Sequence, residues 1–556
     1  MNGPEKQFSL THATSSDNVH AKGNSPAVDV QVFNSAQDIA AKSAGKKSPH
    51  ICLVRPPSVS SKYDLSVSIP PPIGLAYMAA YLKRENYKVT VVDSIGEAPG
   101  QTYPGEGSGR HLVYYGLRLD EVIAKVPVDA DIIGISVMFS LHWPMAKHLI
   151  KQLRSRFPNA FILLGGEHST ALPEFSLSDC PELDACALGE GEATLLNVAE
   201  VWNHDKLWQK VPGLVVRNGD KIVRTAPRER IKDVNSLPWP DWGSLPIENY
   251  HRHNLSYGVV NGISMPILAS RGCPYQCTFC SNLDMWGTRW LVREVEDVID
   301  EIAYYQKKYQ ATDFSFYDLT AIVQREWILK FCNRLLERGL NNITWQLPSG
   351  TRSEALDAEV CAMLFKTGCH YLVYAPESAS EKTLERIKKR IHLDKLVESM
   401  RDAIANNIVI RFNMIIGFPH ETRKDIWRSV KFIFKMAGEG ATDVFANVYT
   451  PYPGSDLHEE LRASGVIGEK LNDNYFYSLT FTNAFAIPWV RCNKNITIAE
   501  LVAWRTFAYF GFYLWTYISK PTRIWVTIQN IRNHRTQSAL ENALFKFLQK
   551  VGLAKR

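Results

Sequence analysis

The chain has 556 residues, and a single hydrophobic core usually stops growing at roughly 250–300 residues, so two or more domains are expected. Its composition, 45% hydrophobic and 22% charged, is that of a globular protein and excludes a disordered or fibrous one. The net charge of +6 is small, and the sequence has no dense basic run with interleaved aromatic residues. Nucleic acid is therefore not an expected partner.

The sequence also bears on location and on the state of the thiols. No stretch approaches the ~20 apolar residues that would cross a bilayer, and the first twenty residues lack the basic-then-apolar order of a signal peptide. We therefore predict a cytoplasmic protein with no transmembrane segment. Because the cytosol keeps thiols reduced, the ten cysteines are not expected to form disulfides.

The first part of the chain predicts a tail followed by an α/β domain. Residues 1–48 are rich in small and polar residues with little apolar periodicity, which is typical of a disordered tail. In residues 49–202, short apolar runs alternate with helical patterns, which predicts a doubly wound parallel sheet covered by helices. Such sheets bind ligands at the carboxyl ends of their strands.

A second α/β series follows. Residues 203–262 are interpreted as a connector, and residues 263–460 contain six βα units, which predict a full or partial barrel. We expect its chemistry at the carboxyl ends of the strands. Residues 461–556 are helical and aromatic in pattern and are interpreted as a core or cap helix region, with a substrate-facing or membrane-facing surface as the alternative.

Three cysteines stand close together directly after an apolar strand. Cys273, Cys277 and Cys280 have the spacing C-x3-C-x2-C, and the next cysteine is Cys332. Soft thiolates select zinc or iron–sulfur, and a structural zinc site normally needs four protein ligands. A cubane held by three cysteines keeps one iron open for a small chelating molecule. The pattern favours a catalytic cluster, and the alternatives are chance spacing or zinc with a remote fourth ligand.

With Phe279 directly before the last cysteine, this motif resembles the signature of the radical S-adenosylmethionine (SAM) superfamily. The resemblance implies a [4Fe–4S] cluster on Cys273, Cys277 and Cys280 whose open iron chelates the amino and carboxylate groups of SAM. It implies that the reduced cluster cleaves SAM to methionine and a 5′-deoxyadenosyl radical. A small-molecule substrate and an electron donor such as ferredoxin or flavodoxin are implied as partners.

Later segments resemble the SAM-binding strands of the same family. Residues 368–380 resemble the strand that ends in a Gly-Glu-Ser segment, with Pro376 in place of the usual glycine, and residues 413–422 resemble the strand whose backbone holds adenine. Asp318, Arg352 and Arg411 also stand at predicted strand ends, where a structural role and a contact with SAM or substrate both remain open. The resemblance assigns Phe279, Glu377, Ser378 and Ile416 to SAM, and Arg411 is added to the predicted SAM contacts from its strand-end position.

Segments of residues 50–200 resemble the cobalamin-binding domain that precedes many radical SAM barrels. The pair Gly165-Gly166 follows a buried strand. Without side chains, these two residues let the backbone approach a bulky ligand, although a tight turn would also explain the pair. No D-x-H-x-x-G motif occurs, so the histidine that replaces the lower base in other cobalamin enzymes is missing, and His142 and His168 are the loop histidines to consider. The predicted cobalamin contacts are Ser136, Gly165, Gly166 and Glu190.

Together the resemblances imply a cobalamin-dependent radical SAM C-methyltransferase acting at an unactivated carbon of a small molecule or natural product. One SAM would methylate cob(I)alamin, and a second would supply the radical. One alternative is a cyclase, oxidase or ring-rearranging enzyme of the same architecture, similar to anaerobic magnesium-protoporphyrin monomethyl ester cyclase. Another is a non-catalytic cobalamin or metal sensor. Catalytic residues beyond the cofactor contacts are not identified by the sequence.

Overall fold

The computed structural model describes residues 48–62, 69–105, 109, 111–203, 207–479, 490–533 and 537–550. The predicted tail therefore lies outside the described residues, except for its last position. Within the described residues, no helix is both long enough and apolar enough to cross a membrane.

The first sheet is parallel at its centre. Its order is β10-β9-β8-β7-β6-β1-β3, in which β9 and β10 are antiparallel additions, while β2, β4 and β5 form a small separate sheet. Because β3 and β6 lie on opposite sides of β1, the switch point is at the carboxyl ends of β1 and β6. The strands are β1 (His50–Arg55), β2 (Ser58–Ser61), β3 (Lys88–Asp93), β4 (Thr102–Pro104), β5 (Leu112–Tyr115), β6 (Ile132–Ser136), β7 (Phe161–Gly165), β8 (Ala185–Ala187), β9 (Leu214–Asn218) and β10 (Lys221–Arg224).

The second sheet is a partial barrel. Its six strands, in the order β11-β14-β15-β16-β17-β18, are all parallel and follow the chain order, with β11 and β18 as the two edges. The predicted α/β class and partial (β/α)6 barrel are thus confirmed. The strands of this sheet are β11 (Ser264–Ile267), β14 (Asp313–Phe316), β15 (Thr344–Thr351), β16 (Cys369–Glu377), β17 (Val409–Ile416) and β18 (Asp443–Val448). Strands β12 (Ser270–Arg271) and β13 (Leu291–Val292) form a separate antiparallel pair.

Helices connect the strands and bury their apolar stripes against the two sheets. They are α1 (Ile73–Arg84), α2 (Ser94–Glu97), α3 (Leu119–Lys125), α4 (Trp143–Arg156), α5 (Glu167–Ala171), α6 (Pro173–Asp179), α7 (Glu192–Val201), α8 (Ile247–Arg252), α9 (Asn282–Trp286), α10 (Val295–Tyr309), α11 (Arg325–Glu337), α12 (Ala358–Lys366), α13 (Glu381–Arg386), α14 (Leu393–Ala405), α15 (Arg423–Glu439), α16 (Asp456–Ala463), α17 (Asp473–Ser478), α18 (Ile498–Ser519), α19 (Thr522–Arg532) and α20 (Ala539–Lys550). We propose that the domain boundaries follow the predicted division at residues 49–202, 203–262, 263–460 and 461–556.

Helix α18 covers the free edge of the barrel. Phe512 packs on Phe412 of β17 with ring centroids 5.8 Å apart. The Tyr513 hydroxyl donates to Asp443 at 2.5 Å, and the Ala446 N–H donates to the Tyr509 hydroxyl at 3.2 Å. These contacts satisfy polar groups at the edge strand β18 that would otherwise offer a template for pairing with another chain.

A buried ion-pair set joins the first domain to strand β12. Arg271, the last residue of β12 and two residues before Cys273, is 6% exposed. Its guanidinium donates to Glu190 at 3.1 Å and to Glu192 at 2.7 Å, and the Ile231 N–H donates to the other oxygen of Glu190 at 2.9 Å. Because buried charges are tolerated only when they are paired and hydrogen-bonded, this set holds the first domain against the strand that precedes the cysteine loop.

Replacing Arg271 with an uncharged residue should therefore destabilise the protein strongly. In Arg271→Met, Glu190 and Glu192 would remain buried without it, so we expect the free energy of unfolding to fall by about 3–5 kcal/mol, as measured by urea denaturation. The matched control is Arg325→Met, since Arg325 pairs with two carboxylates on the surface and its loss should cost far less. Equal losses in the two variants would contradict a special role for the buried set.

Candidate functional site

The three cysteines lie on the loop between β12 and α9, beyond the carboxyl end of β11. Gly272 opens this loop at φ +90°, where a Cβ would lie 2.2 Å from the carbonyl oxygen of Arg289, so only glycine fits. Further along, the Thr278 N–H donates to the Ile387 carbonyl at 3.1 Å, and the Thr278 carbonyl accepts from the Leu457 N–H at 2.9 Å. The loop is thus fixed from both sides by backbone hydrogen bonds.

The three thiols differ from the rest of the cysteines. Cys273, Cys277 and Cys280 are partly exposed, whereas the other seven are buried. Burial raises the pKa of Cys280 to about 12, and the nearby Glu167, Cys277 and Cys273 add to the rise. Burial also raises the pKa of Cys277. A metal that binds these thiols must displace their protons.

The donor set consists of three thiolates on one loop. Tetrahedral zinc normally needs four protein ligands. In a cubane each thiolate binds a different iron, and three thiolates leave the fourth iron open. The three-thiolate set therefore favours a cluster over a structural zinc site.

A strained carboxylate lies beside the cysteine loop. Glu377, the last residue of β16, has φ +66°, a region that residues other than glycine rarely adopt and that is frequent at functional sites. Lys389 Nζ donates to its carboxylate at 3.2 Å, and both side chains are 10% exposed. Burial raises the pKa of Cys277, and the charges of Lys389 and Glu377 act on the same thiol. Glu377 therefore lies beside the cysteine loop, and its contact with SAM stays a prediction.

Lys389 was missed by the sequence analysis. It belongs to the basic run Lys388-Lys389-Arg390 after α13, and such a run is normally a solvated surface. Only the tertiary structure shows that its middle member turns inward to Glu377.

Arg352, whose role the sequence left open, also contacts the loop. Its guanidinium lies 3.8 Å from the centroid of the Tyr275 ring, between Cys273 and Cys277 in the chain. It also pairs with Glu354 at 2.6 Å. Two cationic side chains, Lys389 and Arg352, thus lie next to the cysteines.

The end of β17 is braced by a buried carboxylate. Glu421 accepts from the N–H groups of Gly417 at 2.7 Å and Phe418 at 3.1 Å. The Ser378 hydroxyl is 3.4 Å from Glu421 and 3.3 Å from Ser429, so it braces this turn. The Ser378 hydroxyl thus has protein partners at this turn, and its contact with SAM stays a prediction.

Two further predicted SAM residues lie at the same turn. Ile416 is the last residue of β17, and its carbonyl accepts from the Tyr449 N–H at 2.8 Å. The Phe279 ring packs 5.7 Å from Phe418, directly after that strand. The cysteine loop and the end of β17 are therefore in contact.

The assignment of Arg411 to SAM is corrected by its position. Arg411 is the third residue of β17 and lies five residues, about 16 Å, before the carboxyl end at Ile416. Its guanidinium pairs with Asp443, the first residue of β18, at 2.7 Å and lies 4.6 Å from the Phe445 ring centroid. It stabilises the amino-terminal end of the barrel, away from the cysteine loop.

At the carboxyl edge of the first sheet, the structure leaves room beside the predicted cobalamin contacts. Ser136 and Gly165 are paired at the ends of β6 and β7, and a Cβ on Gly165 would meet nothing within 4 Å. Met138 is 46% and Phe139 53% exposed directly after Ser136. An open edge with apolar side chains at the switch point suits a bulky, partly apolar ligand such as a corrin.

Gly166 has a different role from Gly165. Its φ is +100°, and a Cβ there would lie 2.5 Å from the carbonyl oxygen of Val137. This glycine is therefore required by the close approach of two backbone segments, and it shapes the edge without needing a ligand.

Three polar residues considered for cobalamin have structural partners instead. Glu190 is held by Arg271 and the Ile231 N–H, as described above. His168 is fully buried between the hydroxyls of Ser140 at 2.9 Å and Ser176 at 3.2 Å, and burial lowers its pKa to about 3. Burial likewise lowers the pKa of His142 to about 3. Glu190 and His168 are thus engaged by protein groups in place of cobalamin. A low pKa keeps His142 neutral, which is the form that binds a metal, so His142 as a cobalt ligand stays a prediction.

The two carboxyl edges meet. Glu167, directly after the Gly-Gly pair, accepts a hydrogen bond from Ser281, which directly follows Cys280. Thr170 Oγ1 lies 3.4 Å from the Met285 sulfur of α9. Burial, with the nearby Asp284, raises the pKa of Glu167 to about 7. The candidate corrin edge and the cysteine loop are therefore adjoining walls of one region.

The buried Glu421 predicts a pH effect on stability. Burial raises its pKa from the ordinary 4.5 to about 7. Folding therefore favours the protonated form, and stability falls as pH rises from about 4.5 through 7, by up to about 3 kcal/mol. We expect Glu421→Gln to gain melting temperature relative to the parent between about pH 5.5 and about pH 8.5.

A matched control separates this effect from a general one. The pKa of Glu439 is lowered by its hydrogen bond to Arg401, so Glu439 is ionised in both states over that range. The difference in melting temperature between Glu439→Gln and the parent should stay constant over this pH range. A pH-independent difference for Glu421→Gln would show that the carboxyl is not protonated near neutral pH.

Comparison with known proteins agrees with this geometry. The Radical SAM superfamily matches residues 267–433, and the B12 binding domain matches residues 66–199. The first match contains the three cysteines and the second contains the Gly-Gly edge. The cofactors of these domains are a [4Fe–4S] cluster, SAM and cobalamin, as the sequence implied.

Relatives cover most of the chain. An uncharacterized methyltransferase of Pyrococcus horikoshii is 29% identical over 84% of this chain and 92% of its own length. The anaerobic magnesium-protoporphyrin IX monomethyl ester cyclase of Cereibacter sphaeroides is 29% identical over 57% of this chain and 51% of its own. The fold is similar to that of the radical SAM methyltransferase TsrM of Kitasatospora setae, solved with cobalamin and [4Fe-4S] cluster bound, at a TM-score of 0.58, 17% identity and coverage of 77% of this chain and 76% of TsrM. The chain therefore contains a B12-binding domain followed by a radical SAM domain.

Proposed function

We propose that this enzyme is a cobalamin-dependent radical SAM C-methyltransferase that acts at an unactivated carbon of a small molecule. The observation that carries the proposal is the contact between Glu167 of the first domain and Ser281 of the cysteine loop. A substrate carbon placed between the cysteine loop and the carboxyl edge of the first sheet could meet the radical from one side and the methyl group from the other. The methyltransferase named above, which matches almost its full length, supports the same assignment.

Residues of this chain are suited to hold each group. Cys273, Cys277 and Cys280 would hold the cluster, and the edge at Ser136 and Gly165 would receive the corrin. When bound, the cluster supplies the electron that cleaves SAM, and cobalamin supplies a carrier for a methyl group. The remaining task of the protein is to orient SAM and the substrate between them.

The charges beside the cysteine loop match those of the amino-acid part of SAM. Glu377 can pair with the ammonium group, while Lys389 and Arg352 can pair with the carboxylate. Since Glu377 and Lys389 bond to each other at 3.2 Å, SAM would exchange this pair for two pairs of its own. The strained backbone at Glu377 holds the carboxylate in place for that exchange.

The other partners follow from the same chemistry. We propose that a ferredoxin or flavodoxin reduces the cluster, because the cluster needs an external electron for each SAM that it cleaves. Placement of the protein in the cytoplasm stays a prediction.

A second candidate function is oxidation or cyclisation without methyl transfer, since a magnesium-protoporphyrin cyclase is among the relatives. The two functions differ in their by-products. Methyl transfer converts SAM to S-adenosylhomocysteine, whereas radical oxidation or rearrangement produces 5′-deoxyadenosine alone.

The proposal is tested with protein reconstituted anaerobically with cluster and cobalamin and reduced with dithionite. Supplied with SAM deuterated at the methyl group and with candidate substrates, it should form S-adenosylhomocysteine and 5′-deoxyadenosine together, and a product should gain three deuterium atoms by mass spectrometry. Formation of 5′-deoxyadenosine without S-adenosylhomocysteine would instead support the cyclase alternative. A protein that never cleaves SAM would revive the sensor hypothesis.

Loss of any single cluster thiol should abolish the cluster. In Cys273→Ala, Cys277→Ala or Cys280→Ala, two thiolates cannot retain a stable cubane, so we expect loss of the iron–sulfur absorption band and of bound iron and sulfide. Cys332→Ala is the matched control, because that thiol is buried in the helical layer and should leave the iron content unchanged. Full iron content in one of the three variants would contradict the assignment of that cysteine.

A further inference from the structure

The C-terminal helices expose an unusual number of large apolar side chains. Of the sixteen large hydrophobic side chains that are exposed in the described part of the chain, ten lie on α18, α19 and α20. A single scattered apolar residue needs no explanation, but so many on three packed helices indicate an interaction surface. We call this set the aromatic face: Phe507, Phe510, Leu514, Trp515, Ile518, Ile524, Trp525, Ile528, Leu544 and Phe547.

The aromatic face is distinct from the side of α18 that covers the barrel. The buried stripe of α18 contains Leu501, Ala508 and Phe512, whereas Phe510 is 67% and Leu514 is 64% exposed. Since residues three and four positions apart share one side of a helix, the exposed members of α18 form a second stripe. Packing against the barrel therefore does not account for them.

The distribution of positive charge indicates what kind of partner the aromatic face binds. Residues 498–556 contain nine Lys and Arg against two acidic residues, a net charge of +7, while the other 497 residues contain 54 basic and 55 acidic residues. The segment that carries the aromatic face therefore accounts for the whole net positive charge of the chain, and Lys520, Arg532 and Lys546 are exposed there. The adjoining helix α15 adds exposed cations at Lys424, Arg428, Lys431 and Lys435.

The combination of Trp and Phe with surrounding Lys and Arg is typical of helices that lie in the interface of a bilayer. Anionic headgroups attract such a surface, at about 1 kcal/mol for each Lys or Arg near the membrane. A second copy of the chain is a poorer occupant, because a twofold contact would bring two like-charged surfaces together. Since no described helix can cross the membrane, the surface would lie on it.

We propose that the aromatic face docks the enzyme on the surface of an anionic phospholipid bilayer. The proposal does not depend on the reaction assigned above, because none of the residues of the aromatic face contacts the cysteine loop or the Gly-Gly edge in the described contacts.

The test is co-sedimentation of the full chain, loaded with its cofactors, with vesicles of phosphatidylcholine alone or mixed with phosphatidylglycerol. We expect binding to the mixed vesicles that weakens with added salt, and little binding to phosphatidylcholine. Phe510→Ser with Leu514→Ser should lower the partition coefficient by about tenfold or more, because each buried side chain of this size contributes on the order of one tenfold step. Lys435→Glu with Arg532→Glu should also weaken binding to the mixed vesicles.

The matched control is Val128→Ser with Phe365→Ser, which removes two exposed apolar side chains away from the aromatic face and should leave binding unchanged. Iron content and the melting temperature show that each variant is folded. No binding to mixed vesicles, or equal binding by the control and the Phe510→Ser, Leu514→Ser variant, would overturn the proposal. A concentration-dependent dimer that the same variant dissociates, without vesicle binding, would assign the aromatic face to self-association instead.

Discussion

The buried pairing of Arg271 with Glu190 and Glu192 is the interaction on which the arrangement of this protein depends. A guanidinium with 6% exposure is stable only while both carboxylates accompany it, and these belong to a different domain. Because Arg271 stands two residues before Cys273, the same pairing fixes the first domain and the start of the cysteine loop. Each domain thereby positions the other.

The sequence predicts those features of the fold and the site that are local in the chain. Continuous apolar runs identify parallel strands such as Ile51–Val54, since both faces of such strands are buried. The spacing of the cysteines identifies the cluster loop, because three ligands on one loop need no long-range contact to come together. The open edge beside Gly165 is also predicted from neighbouring residues, because the glycine stands at the end of a buried strand.

The rest depends on which side chain meets which across the fold. Glu190 and Arg411 are charged residues near predicted strand ends, and only tertiary pairing shows that one joins the domains and the other stabilises the amino-terminal end of the barrel. His168 lies in a loop of the sequence pattern but is enclosed by two hydroxyls. Lys389 belongs to a run that looks like solvated surface. Periodicity and spacing contain no information on such partners.

In the proposed function, the contact of Glu167 with Ser281 brings the cluster and the corrin to the same space. This is tested by electron paramagnetic resonance on protein that holds both the reduced cluster and cobalamin in its paramagnetic Co(II) state. We predict that each signal is split or broadened by the other and that the cobalt signal becomes simple again in Cys273→Ala, which lacks the cluster. A spectrum that is the plain sum of the two separate signals would contradict this arrangement.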